Sequence, residues 1–306
     1  DIVVGAYVNA GPHWVEFEAG IGGDWAEIDL LHVLKKEYDE EADYYLAITG
    51  RSEGDTILRN PIEIMKNIAV DELGLDPDSQ IDDESYQRAK AIHNDLKFDF
   101  SVKDEIKSKD LFESIAKSTL CYPYFNNQGK FAFASYKSSY TTDDFENAKV
   151  IKDNDVINFS FNKTKHEQTY TSVKFKYNYD YTSEKYHSFF HLNTSFGSAL
   201  SPHQEVLDYN GYTSWEDNVL EFESPYIKDK ETAEKVWAYM YRDHQYQHLT
   251  CKLKLPLHYI HLDVGDTIKF DKLLGGLKAF GIDYTKMSNF LEFSFYVDGW
   301  RRDTAL

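Results

Sequence analysis

The run from Asp229 to Phe270 constrains the chain most, because it asks for a helix, a strand, a tight turn and a second strand in unbroken succession. Asp229 can cap the helix start, Glu231 and Glu234 lie where the positive end of the helix dipole favours them, and Ala233, Val236, Trp237, Met240, Tyr241 and His244 recur at helical spacing. The expected helix, residues 229–248, therefore carries one broad aromatic and apolar face. Cys251, Leu253, Leu255 and Leu257 then alternate with Lys252, Lys254 and Pro256, the pattern of a strand with one buried and one wet side. Pro256 has no amide proton and marks an edge or a strand end. Asp263-Val264-Gly265-Asp266 supplies turn chemistry, and Thr267 to Phe270 resume a strand. The expectation is a sheet with one helix packed across it.

The chain has 306 residues, enough for two or three cores, and its 42% hydrophobic fraction suits ordered domains. Aromatics reach 16%, an excess that fits strands and contact surfaces. The formal charge of -19 repels phosphate backbones, so tight wrapping around nucleic acid is disfavoured. Such a charge still allows a passage through which DNA slides without sticking, and it equally suits a plain acidic, soluble surface. No apolar run approaches the length needed to cross a bilayer. The sequence opens Asp1-Ile2-Val3-Val4 in what reads as mid-strand, and is expected to be trimmed or fragmentary. Cys121 and Cys251 fall on expected strands far apart and read as buried free thiols.

Along the chain, Ile2 to Phe17 reads as extended around a Gly11-Pro12 turn. Gly20, Gly22 and Gly23 precede a helical pattern of Ile28, Leu31 and Leu34, but Trp25 stands where a dinucleotide fingerprint needs its third glycine. Residues 1–50 thus form an N-terminal β-rich segment. A second region, 51–150, opens with Asn60-Pro61-Ile62-Glu63, a cap, a first-turn proline and a glutamate that can reach back to the cap amide; Gly74 ends this helix. Asp76, Asp78, Asp82, Asp83 and Glu84 follow, with Gln80 and Ile81 where a calcium loop needs an acid or Asn and then Gly, so a solvated linker capping the next helix is expected. Leu96, Phe98, Phe100 and Val102 alternate as a strand, Ser108 caps a third helix, and Asn126-Asn127-Gln128-Gly129 turns a hairpin. Ser138 to Asp144 reads as a polar loop. From residue 151 to 306 the texture turns to β: Tyr170 to Tyr179 alternate with Lys174 and Lys176 outward, and Ser195 to Asn218 reads as an exposed excursion before the helix at 229–248.

Catalytic patterns fall short. His244 and His248 have the spacing of two imidazoles on one metal, but Gln245 stands where a zincin helix carries its base, and a helix end welcomes His for dipole reasons alone. His187 and His191 share the spacing in an irregular aromatic segment. A glycosidase needs two carboxylates flanked by aromatics, and although Trp14, Trp25, Trp215, Trp237 and Trp300 accompany abundant acids, no pair stands out. No catalytic, cofactor-binding or metal-ligating residues are assigned.

Several stretches occur together in a fixed order: Leu58-Arg59-Asn60-Pro61-Ile62-Glu63-Ile64 with Asp71-Glu72-Leu73-Gly74-Leu75; Lys109-Asp110-Leu111-Phe112 with Ile115-Ala116-Lys117-Ser118-Thr119; Phe159-Ser160-Phe161 with Tyr170 and Val173 to Tyr177; Leu253-Lys254-Leu255-Pro256-Leu257; Val264-Gly265-Asp266; and Lys278-Ala279-Phe280-Gly281-Ile282-Asp283-Tyr284. In this order they resemble the tail hub, or baseplate hub, proteins of tailed bacteriophages, over roughly Gly50 to Tyr284; nothing before Thr49 matches, and Met287 to Leu306 departs from the pattern. The resemblance implies an α+β fold in which β-barrel-like tube domains flank an inserted helix-and-hairpin α+β module. It implies a homotrimeric ring at the virion's tail tip, binding the tail tube protein on one side and tip, spike or fibre proteins on the other. DNA would cross its lumen unbound, and the chain would be a structural protein and no enzyme. The alternatives, from aromatic and acidic content, are a tail-associated carbohydrate-active or cell-wall-degrading enzyme, or a sugar-binding module.

Overall fold

The computed structural model describes residues 2–8, 15–19, 44–48, 50–53, 56–102, 105–137, 140–191, 204–272, 275–278, 281, 283, 285–286 and 295–296. Two compact units emerge, Asp1–Arg59 with Asp180–Glu184, and Asn60–Tyr179 with Lys185–Leu306.

In the first unit, β1 (Ile2–Val8) lies between β2 (Val15–Ala19) and β3 (Tyr44–Ile48), antiparallel to both, with Val4 opposite Phe17 and Ala6 opposite Leu46. The expected extended start is therefore a three-stranded sheet. A minimal pair, β4 (Ser52–Glu53) with β5 (Thr56–Ile57), follows. The turn at 180–184 is held by the Asp180 carboxylate, which accepts from the amides of Thr182 (3.0 Å) and Ser183 (3.3 Å) and from the Ser183 hydroxyl (2.7 Å). The helical pattern on Ile28, Leu31 and Leu34 and the glycines before it lie outside the described residues.

The second unit begins as its capping signals dictate. Asn60 Oδ1 accepts from the amides of Ile62 (2.9 Å) and Glu63 (3.4 Å) at the start of α1 (Pro61–Asn67), which a π-turn at Ile68–Glu72 prolongs until Gly74 reverses the chain at φ +70°. Glu63 does not reach back to the cap; it pairs instead with Lys90 of α2 (Asp83–Ile92). Asp82 caps α2 by accepting from Ser85 N at 3.2 Å, as expected of the acidic linker. Residues 96–100 follow the expected alternation, with Leu96 and Phe98 buried, but Val102 is exposed and the segment forms no strand. Their amides are taken elsewhere: Lys97 N donates to Thr232 Oγ1 (3.0 Å) and Asp99 N to Tyr226 O (2.9 Å), so no ladder is left to make. Helix α3 (Ser108–Thr119) takes Ser108 as its first residue rather than its cap; Lys107 holds the cap position without a side-chain bond. It ends at Leu120, left-handed at φ 60°. The hairpin of β6 (Cys121–Phe125) and β7 (Phe131–Ser135) forms as expected, its turn fixed by Asn126 Oδ1 accepting from Gln128 N (2.9 Å) and Lys130 N (3.0 Å). The expected loop at 138–144 gives way to a short helix, α4 (Thr142–Asn147), because Thr141 and Asp144 form a reciprocal capping box.

Beyond it come β8 (Lys149–Ile151), β9 (Asn158–Lys163), β10 (Ser172–Asp180), β11 (Lys185–Phe190), α5 (Gln204–Asn210), β12 (Val219–Glu223), α6 (Lys230–His244), β13 (Leu249–Lys254), β14 (Thr267–Phe270) and β15 (Phe295–Tyr296). Helix α5 stands inside what reads as an exposed excursion; Val206, Leu207 and Asn210 are buried. Helix α6 stops at His244, four residues short of expectation. It is capped by Asp229, whose carboxylate accepts from both the amide and the hydroxyl of Thr232 (2.8 Å each). It packs on the sheet β11-β10-β12, not on the strands that follow it in sequence: Trp237, fully buried, donates its indole N–H to Val173 O of β10 at 2.8 Å. In that sheet β12 runs parallel to β10, with Lys174 paired to Glu221 and Lys176 to Glu223 on the outer face. Nor do β13 and β14 pair with each other. β13 joins β9, while β14 joins β8 and β15, with a 3-10 turn at Leu257–His261 between them. Among the described residues the strands fall into separate two- and three-stranded sheets and close no barrel; the architecture is mixed α+β.

One large core unites α1, α2, α3 and the β6–β7 hairpin with β10, β11 and α6, so buried packing runs across position 150. Ser118 and Ser224 hydroxyls meet at 2.9 Å, and Tyr226 donates to Ser114 Oγ at 2.7 Å along this seam. A second, smaller core gathers Ile151, Tyr259, Leu262, Ile268 and Phe270 under Phe161, Leu249 and Leu253. The hairpin turn bridges the two: Asn127 Nδ2 donates to Ile260 O (2.9 Å) and Leu262 O (3.2 Å), and Gly265 passes directly over Ala134.

Gly265 sits at φ +86°, and a methyl group there would lie 3.0 Å from Ala134 Cβ. Gly265→Ala is expected to cost about 2–3 kcal/mol, strain and overlap together, whereas Gly211→Ala, at φ +68° in open space, carries only the conformational share of about 1 kcal/mol; urea denaturation of the two variants compares them. His93 gives a second test. Its Nε2 is buried without a partner, and burial pushes its pKa down to about 4. The unfolded chain therefore takes up this proton first, near pH 6.5, while the folded chain resists it. Stability falls as pH drops from about 6.5 to about 4, this one group contributing about 3 kcal/mol. Denaturation at both pH values, with His93→Leu as the reference that lacks the group, is expected to show a shallower loss in the variant.

Candidate functional site

Among the described residues of the second unit, the ribbon of β9 and β13 is widely exposed. The two strands pair antiparallel, Phe161 opposite Cys251 and Phe159 opposite Leu253, and the pairing continues past both ends, with Ile157 N donating to Lys254 O and Thr164 N to His248 O (2.9 Å each). Period-two alternation gives it two unlike faces. Phe159, Phe161, Leu249, Cys251 and Leu253 share one, of which Phe161, Leu249 and Leu253 lean on the small core. Asn158, Ser160, Asn162, Thr250, Lys252 and Lys254 make the other, which is exposed throughout. At its margin, apolar side chains stand in solvent: Ile157 is 62% exposed, Phe159 44% and Leu257 80%, with Val150 and Ile260 nearby in sequence also exposed. The alternation read through Leu257 thus stops at Leu255. Pro256 ends the strand, and Leu257, carried into the 3-10 turn, points outward.

Beneath the ribbon the polar groups serve the fold. Asp155 accepts from Tyr259 OH (2.9 Å) and meets His258 Nε2 (3.2 Å), while Tyr259 OH accepts from Lys152 N (2.9 Å), pinning the 3-10 turn to the start of β9. Asp266 pairs with Lys149 and accepts from Asp263 N at 2.7 Å, which closes the expected turn. Asp263 is held above the usual carboxylate range chiefly by burial. Its neighbour Asp266 is consumed by Lys149 and the turn amide, so the two acids serve the turn.

The sequence candidates for chemistry are taken up by the fold. His244 lies in the last turn of α6 with Nδ1 3.0 Å from Met240 O, and His248 lies beyond the helix with Nε2 against Asp243 O (2.5 Å); both rings also stand 3.6 Å from the Asp243 carboxylate, an arrangement that ties the helix end together. His187 is in β11 and His191 follows it. Among the described residues no three His, Cys, Asp or Glu side chains gather as a metal site would need, and no helix is long and apolar enough to cross a membrane. Trp237 is core, and Trp215 offers its carbonyl to the hydroxyls of Thr171 (2.9 Å) and Ser172 (2.8 Å); Trp14, Trp25 and Trp300 lie outside the described residues.

Both cysteines are free, Cys121 buried beside Ser135 Oγ (3.2 Å) and Cys251 half-buried in the ribbon; burial pushes their thiols up to about 12 and about 11. Nucleophilic attack needs the thiolate. Iodoacetamide at about pH 8 is therefore expected to leave both unlabelled in the native chain and to label both after denaturation, as read by intact mass.

A family model described as "putative phage tail protein" matches residues 117–282, more than half of the chain, from the last turn of α3 through β14 and the whole ribbon. No curated protein matches the chain. On the strength of that match, the chain belongs to this family of phage tail proteins and is a structural component of a bacteriophage tail.

Proposed function

We propose that the chain is the hub of a tail tip or baseplate: a homotrimeric ring that joins the hexameric tail tube to the tip, spike or fibre proteins, lets DNA pass through an acidic lumen, and catalyses nothing. In this reading β8, β9, β13, β14 and β15, within residues 151–306 and the end of the module before them, are the strands of one barrel-like tube domain. Residues 1–50 contribute β1, β2 and β3 to the other, and the helix-and-hairpin module of 51–150 is inserted between them.

The observation that carries the proposal is the concentration of exposed large apolar side chains around one small core. Val150, Ile157, Phe159, Leu257 and Ile260 are each more than 40% exposed, and they belong to the strands and turns that surround Ile151, Tyr259 and Ile268. A two-stranded ribbon is marginal alone in water, and exposed apolar groups grouped on it mark a surface meant for covering. Copies of the same chain closing a ring would complete these sheets side by side and exclude that apolar surface from water. The net charge of -19 suits a channel that does not hold the nucleic acid passing through it.

The expected outcome in solution is a particle of three times the 35.6 kDa chain mass, measured by light scattering coupled to size exclusion at high protein concentration. A chain that remains a monomer there, or that releases soluble fragments from peptidoglycan or host glycan, would sink the proposal.

A further inference from the structure

The ribbon carries a charge pattern opposite to that of the whole chain. Acids make up 52 of 306 residues, yet none occurs between Val156 and His166, and none between His244 and Leu262. These two acid-free runs lie far apart in sequence, and the antiparallel pairing of β9 with β13 brings them together. The runs hold Lys163, Lys165, Lys252 and Lys254. Lys252 and Lys254 stand on the exposed polar face opposite Ser160 and Asn158, and no ion pair reaches Lys165, Lys252 or Lys254 among the described residues. By contrast, Lys174 and Lys176 are paired with Glu221 and Glu223, and Lys149 with Asp266.

Copies of a chain this acidic repel one another over about a Debye length, so a stable contact between them has to form where one copy presents no carboxylates. We propose that the β9–β13 ribbon is the attractive half of the contact between copies. Its lysine face receives an acidic surface of the neighbouring copy while Ile157 and Leu257, at the end of the ribbon, are covered by the same contact. This inference rests on the ring reading and names the surface and the force that would hold the ring. Duplex DNA is the less favoured occupant: a handful of lysines cannot offset the long-range repulsion of the whole chain, and phosphates give the apolar margin nothing to pack on.

The test uses the full chain, its Lys252→Glu/Lys254→Glu variant and, against a folding defect, the milder Lys252→Gln/Lys254→Gln and the off-strand Lys165→Glu, each checked by circular dichroism and thermal melting. Sedimentation equilibrium is run at about 20 mM and about 500 mM salt, which shortens the screening length severalfold. The expected results are that double reversal abolishes association at both salts, and that Lys165→Glu and the neutral pair weaken it about tenfold relative to wild type at low salt and less at high salt. Association of the folded reversal variant equal to that of wild type overturns this inference and leaves the ring reading standing. A wild type that stays monomeric at both salts overturns the ring reading and this inference with it. Retardation of a duplex DNA by wild type, lost in the reversal variant without any change in self-association, also overturns the inference, in favour of a nucleic-acid surface.

Discussion

The second unit depends on one buried interaction, the indole of Trp237 laid against β10 with its N–H given to Val173 O at 2.8 Å. An unpaired indole donor inside a core costs about 1–3 kcal/mol, so this bond fixes both the depth and the rotation of α6 on the sheet. Once α6 is fixed, Tyr241 stacks parallel to Trp237 and Phe190 of β11 meets it at a tilt, ring centroids 6.5 Å apart. Thr232 at the N-terminus of the helix then holds the extended segment through Lys97 N. The module of helices and hairpin is thus attached to the β-rich part by the same helix that organises the sheet.

The small core is different in kind. Its members are few, its strands come in a pair and a triplet, and its covering ribbon leaves one face and several apolar side chains in water. It is anchored to the large core where the Asn126–Lys130 turn meets Ile260 and Leu262 and Gly265 passes over Ala134. In the proposed ring the large core supplies rigidity, and the small core, left partly uncovered, is the part that neighbours would complete.

What could be read in the sequence was whatever is settled within a few residues. Asn60, Asp82 and Asp229 cap the helices they precede, and the Asn126–Gly129 hairpin forms, because each rests on side chains bonding to amides next to them. The failures follow from partners far along the chain. Leu96 to Val102 alternate like a strand, but Tyr226 and Thr232 take their amides. The run from helix to strand to strand looked like one sheet, whereas α6 belongs to β10, β13 to β9 and β14 to β8, segments about a hundred residues earlier or more in the last two cases. The ribbon as a surface was invisible for the same reason: its apolar stripe was legible, but exposure at Leu257 and the meeting of two acid-free runs depend on the pairing register.

The parallel union of β10 with β12 sets an order of events during synthesis. Ser172 cannot find Val219 until the intervening strand and helix α5 have been made, and Trp237 is later still. The early helices and their hairpin are joined mostly by short-range contacts, and such elements gain structure quickly, while long-separated parallel strands close slowly. A nascent chain paused before residue 219 would therefore hold a partly formed module with the inner face of Val173, Phe175 and Tyr177 uncovered, making the translation of that interval the moment of greatest exposure to chaperones and to premature self-association.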